Sequence, residues 1–104
     1  MHDDSQILVP PSFIALHSDA RERLLTPIGE VRARYELCED LANHLVEHAQ
    51  TLYHVQAPSE AEILRRIHAG LASPDAGVTP PEAMWITCRL AELLQWRCPE
   101  LSRP

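Results

Sequence analysis

Residues 26–53 read TPIGEVRARYELCEDLANHLVEHAQTLY, and their spacing decides the fold. Ile28, Val31, Tyr35, Cys38, Ala42, Leu45, Ala49 and Leu52 recur at alternating steps of three and four, the period of one buried helix face. Leu41, Val46 and Tyr53 widen the stripe, while Arg32, Glu36, Glu39, Asp40, Asn43 and Glu47 fall on the other side. Thr26-Pro27 supplies the start, because threonine can cap and proline at the first helical position loses no needed hydrogen bond. The expectation is one long central helix over about 27–53.

Working outward, Ala57-Pro58 breaks this helix, since the residue before a proline is pushed out of helical geometry. Ser59-Glu60-Ala61-Glu62 then reads as a capping box. It opens a short helix over about 60–70 with Ile63, Leu64 and Ile67 inward and Gly70 as its stop. Residues 72–79 are rich in Ser, Pro, Asp and Gly and read as a loop. Thr79-Pro80-Pro81-Glu82 is a second capping box, and the helix it opens is expected over about 80–97, ended by Cys98-Pro99. On the amino-terminal side, Pro10-Pro11 separates an arm containing Ile7-Leu8-Val9 from a short helix through Phe13, Ile14 and Leu16. A second short helical stretch is expected from Ser18 or Asp19 to Leu25. No segment has strand period. The fold class is all-α, a small helical bundle with short amino-terminal helical segments. Its expected organisation is an arm over 1–10, a single helical domain over 11–98 and a frayed tail over 99–104.

Composition narrows the chemistry. The chain has 104 residues, enough for one modest core without disulfides or metal. All nine basic residues are arginine, which excludes a Walker lysine, a Schiff-base lysine and a lysine general base. The net charge of −6 has the wrong sign for a nucleic-acid binder, although residues from Ala57 onward carry five arginines against six acids. No apolar run reaches the ~20 residues of a membrane span. The start, Met1-His2-Asp3-Asp4, is acidic where a signal peptide is basic, so the expected location is cytoplasmic. Cys38, Cys88 and Cys98 are widely spaced without a C-x-x-C pair and read as small buried hydrophobes in a reduced compartment.

His44-Leu45-Val46-Glu47-His48 matches H-x-x-E-H, the inverted zinc-protease motif. Residues four apart share a helix face, so both imidazoles could grip one ion with Glu47 as base. A catalytic zinc also needs a third protein ligand and a substrate cleft, and a chain of this size has no room for the cleft. Asp40, His44 and His48 are therefore the ligands only of an alternative reading, a small metal-binding protein, and the leading expectation is no metal and no cofactor. His54 and His68 sit near predicted helix ends, where the dipole explains a histidine.

The last helix carries the more informative pattern. Ala83, Ile86, Leu90, Leu93 and Leu94 define one arc, and Trp85 and Trp96 fall on the opposite arc beside Arg89 and Glu92. Tryptophan and arginine are enriched at interaction hot spots, so Trp85, Arg89, Glu92 and Trp96 are the candidate partner-binding residues; the alternative is that the amino-terminal arm or the helix 28–53 covers one or both tryptophans. The long helix adds a second argument. Its ~27 residues span roughly 40 Å, more than the roughly 34 Å diameter of a globule of this length, so one end of its stripe calls for a cover, either the Ile7-Leu8-Val9 arm and the Phe13 helix folded back or another chain. A homodimer is the expected solution.

The stretch Arg34-Tyr35-Glu36-Leu37-Cys38-Glu39-Asp40-Leu41-Ala42, following Pro10-Pro11-Ser12-Phe13-Ile14-Ala15-Leu16, resembles a family of small proteobacterial proteins of unassigned function that often carry the label "ATPase with chaperone activity". The resemblance implies a bacterial source and carries over no catalytic residue, and the chain has neither a Walker lysine nor a glycine-rich phosphate loop. The leading functional expectation is a non-enzymatic cytoplasmic helical protein-interaction module, an adaptor or regulator. Besides the metal-binding alternative, an acidic inhibitor or mimic acting on a nucleic-acid-binding protein fits the charge.

Overall fold

A computed structural model of the chain describes residues 8–56 and 59–101. Among them the order is α1 (Pro11–Leu16), α2 (Ile28–Gln56), α3 (Glu60–Leu71), a 3-10 turn (Pro74–Ala76) and α4 (Pro80–Leu94). The chain is all-α, and the one β-type pairing among the described residues is an isolated bridge between Ser18 and Leu24. No described helix is long and apolar enough to cross a membrane. Residues 1–7, most of the expected arm, lie outside the described residues, as do the expected break at Ala57-Pro58 and residues 102–104. Leu101, within the expected tail, is buried.

Packing divides the chain into two units, Met1–Leu37 and Cys38–Pro104, with the boundary inside α2. In the first unit, Pro11 opens α1, and the Pro10 carbonyl accepts from the amides of Phe13 and Ile14. Phe13 and Val31 are fully buried, and the Phe13 ring meets Tyr35 edge-on with centroids 5.7 Å apart. The second short helix expected after Ser18 is not formed. The Asp19 carboxylate instead accepts from the amides of Arg21 (2.8 Å) and Arg23 (2.9 Å). That local turn competes with helix for the same amides, and Glu22 completes it at φ 64°. Asp19 is thereby held below the usual carboxylate range, chiefly by the Arg23 amide.

The second unit is built from the carboxyl-terminal part of α2 with α3 and α4. Its core joins Ala49 of α2, Ile63, Leu64 and Ile67 of α3, and Leu90 and Ala91 of α4. Along α2 the small members of the stripe, Cys38, Ala42 and Ala49, are fully buried. Leu45 and Leu52 are half-buried and pack against the core from its side. Ser59 caps α3, its hydroxyl accepting from the Glu62 amide at 3.1 Å, while the Glu62 carboxylate pairs with Arg66 at 3.0 Å. Gly70 is not the stop: α3 runs on to Leu71, and the amide of Ala72 closes the end on the His68 carbonyl.

At α4 both halves of the capping box are present. The Thr79 hydroxyl accepts from the Glu82 amide (3.2 Å), and the Glu82 carboxylate accepts from the Thr79 amide (2.9 Å). This use explains a fully buried glutamate. The other end differs from expectation. α4 stops at Leu94, three residues before Arg97, because Gln95 takes the left-handed conformation (φ 62°, ψ 35°). The Trp96 amide then bonds back to the Ala91 carbonyl at 2.8 Å, which closes the helix end and reverses the chain.

Candidate interaction surface

The reversal at Gln95 rearranges the residues assigned to the last helix. Trp96 lies beyond α4 and does not share its arc with Trp85. Its ring packs on Tyr53 of α2 with centroids 5.4 Å apart, and it joins the side of the core. Trp85 is half-buried on α4. Arg89 spends its guanidinium within the unit: Nε and Nη2 each donate at 2.9 Å to the Glu39 carboxylate on α2, and Nη1 donates to Glu92 at 3.1 Å. The Arg89 bonds hold the Glu39 carboxyl below its usual range, and the two carboxylates hold the guanidinium above its own. Of Trp85, Arg89, Glu92 and Trp96, the most accessible side chain is that of Glu92.

Glu39 belongs, by period, to the solvated side of α2. Its partner is fifty residues away in sequence, and no local pattern signals such a pairing. A second meeting that the sequence did not announce is that of the Cys88 and Cys98 thiols, which stand 2.7 Å apart. The spacing of ten residues becomes a signal only once the chain is known to turn back between them.

Asp40, His44 and His48 all lie exposed on α2. The His44 Nδ1 atom is 2.8 Å from the Asp40 backbone oxygen, so that ring nitrogen is committed to its own helix. Among the described residues, no group of three or more His, Cys, Asp or Glu side chains is placed to hold a metal ion. His48 instead borders an open groove of about 280 Å³ between α2 and α3, with Leu45, Leu52, Ile67 and Leu71 as its apolar lining and Arg66 at its edge. His68, expected to be a dipole partner at a helix end, is buried, and its Nε2 has no hydrogen-bond partner.

Apolar side chains are exposed at both ends of α2. At its start, Leu24, Leu25 and Ile28 are 41%, 70% and 45% exposed, and near its end Val55 is 75% exposed. In the first unit, Leu24, Leu25 and Ile28 are three aliphatic side chains close in sequence and left partly in water, a feature that calls for a cover.

No protein-family model matches the chain, and no curated protein or solved structure is significantly similar to it.

Proposed function

We propose that this chain is a non-enzymatic helical protein-interaction module that self-associates as a homodimer; the resemblance carried by residues 10–16 and 34–42 supports a bacterial source, and the acidic start Met1-His2-Asp3-Asp4 supports a cytoplasmic location. The observation that carries the reading is the apolar cluster Leu24, Leu25 and Ile28 at the start of α2. Leu24, Leu25 and Ile28 keep 41%, 70% and 45% of their surface in water, so burying the rest stabilises an association by about 0.6–2 kcal/mol each, and a two-fold dimer buries every one of them twice. Mixed charge around the cluster, with Arg21, Glu22, Arg23 and Glu30, suits a self-complementary rim better than a surface of one sign. Within the same reading, Glu92 and the open part of Trp85, seven residues apart on α4, are offered to a different protein partner, Arg89 being spent on Glu39 and Trp96 docked on Tyr53.

Light scattering on the eluting peak from size exclusion tests the self-association. The expected outcome is a dimer mass for the wild type and a monomer mass for the double variant Leu25→Glu/Ile28→Glu, with equal helical circular dichroism. A double variant that remains dimeric would move the interface away from this cluster.

A further inference from the structure

Cys88 lies on α4 and Cys98 follows it in the chain. Had the helix continued, ten residues would separate them by roughly 15 Å along its axis. The left-handed Gln95 and the bond from the Trp96 amide to the Ala91 carbonyl turn the chain back instead. The two Sγ atoms end 2.7 Å apart, roughly 0.7 Å beyond a disulfide bond length. Both thiols are half-buried, and Cys98 packs beside the core. Cys38, the third cysteine, is fully buried in α2.

We propose that Cys88 and Cys98 are a thiol–disulfide modification site: they form a reversible intrachain disulfide by exchange with a small disulfide of the glutathione type, and the bond staples the Trp96 segment to α4. Cys98 attacks as a thiolate, forming a mixed disulfide and releasing one small thiolate, which takes up the proton Cys98 gave up. Cys88 then loses its proton and attacks the Cys98 sulfur, forming the intrachain S–S bond and expelling the second small thiol. In sum, two protein thiols are oxidised to one disulfide and one small disulfide is reduced to two thiols.

The order of attack follows from surroundings. Burial first, and then the adjacent Cys98 thiol, push the Cys88 thiol up to about 12. It is a poor first nucleophile near neutrality, and its step limits the rate. The ring closed by the bond contains Gln95 and Trp96. In the dithiol form that turn is held by the backbone hydrogen bonds of the Gln95 and Trp96 amides to Glu92 and Ala91 and by the Trp96–Tyr53 ring contact; in the disulfide form it is also held covalently. A dithiol that converts reversibly to a disulfide suits a reducing compartment exposed to intermittent oxidation.

The test treats the untagged full chain with oxidised glutathione, quenches with acid and maps the cysteines by mass spectrometry, natively and in denaturant. The expected native product is a Cys88–Cys98 crosslink formed at least about tenfold faster than in the unfolded chain. Closure should accelerate as pH rises, the melting temperature should increase by roughly 10 °C, and dithiothreitol should reverse both. Cys88→Ser should stop at a mixed disulfide on Cys98. A native chain that gives only mixed disulfides, links between chains, or closes no faster than the unfolded chain overturns the proposal.

Discussion

Glu39 and Arg89 give the sharpest check on how the second unit is held together. Replacing Glu39 by Gln keeps the shape of the side chain and removes its charge. In the folded chain the carboxylate receives Arg89 Nε at 2.9 and 3.2 Å and Nη2 at 2.9 Å, a fork that joins α2 to α4. Two unit charges about 4 Å apart attract by ~4 kcal/mol at an effective dielectric near 20. The side chains are 22% and 34% exposed, so solvent screening and the cost of ordering them remove most of this, leaving about 1–2 kcal/mol. The pH dependence has a definite sign. Arg89, first by its hydrogen bonds and then by its charge, lowers the Glu39 carboxyl below its ordinary 4.5. The stabilisation is therefore complete above the unfolded value and is lost as pH falls through the lower folded value. Urea unfolding followed by circular dichroism should show Glu39→Gln less stable near neutral pH, with the difference closing in acid. A cycle with Arg89→Leu should return a coupling of about 1 kcal/mol and so separate this bond from the one Arg89 makes to Glu92. A deficit that persists undiminished in acid, or a coupling of zero, would refute the pairing.

Four further substitutions probe the core and the helix ends, each read from a denaturant midpoint. Leu64→Ala, at a fully buried site in the core of the second unit, should cost about 2–5 kcal/mol, whereas Leu45→Ala on the groove edge should cost only about 1–2 kcal/mol; equal losses would mean that Leu45 is buried. Ser59→Ala removes the oxygen that accepts the Glu62 amide and should cost roughly 0.5–2 kcal/mol, and no loss would place the start of α3 elsewhere. Gln95→Gly relieves a side chain held at φ 62° and should stabilise by about 0.5–1 kcal/mol; a loss of stability would argue for a helix that continues past Leu94.

The helices were legible where a local physical rule acts alone. The steps of three and four from Ile28 to Leu52 announce α2, and the Thr79 and Ser59 caps mark where α4 and α3 begin, because each depends only on residues within one turn. The misreadings share a cause. Asp19 to Leu25 has helical composition, but one carboxylate captures two amides and makes a turn. Gln95 has no preference for the left-handed region, and the chain reverses there with Trp96 docked on Tyr53 and Leu101 buried, contacts with no local signature. That single reversal removed Trp96 from the α4 arc and brought Cys98 to Cys88. Gly70 carried the usual sign of a helix stop, yet it is an ordinary helical residue whose open surroundings would admit a Cβ. Of the candidate surface, residue types were readable and their neighbours were not: nothing near Arg89 in sequence points to Glu39.

Sedimentation equilibrium of the untagged wild-type chain across micromolar concentrations tests the central proposal most directly. The expected result is a reversible monomer–dimer distribution, with dimer prevailing at the upper concentrations, as burial of Leu24, Leu25 and Ile28 against a second copy requires. A single species of monomer mass, 11.7 kDa, down the whole cell at every loading would contradict it and leave those side chains in water.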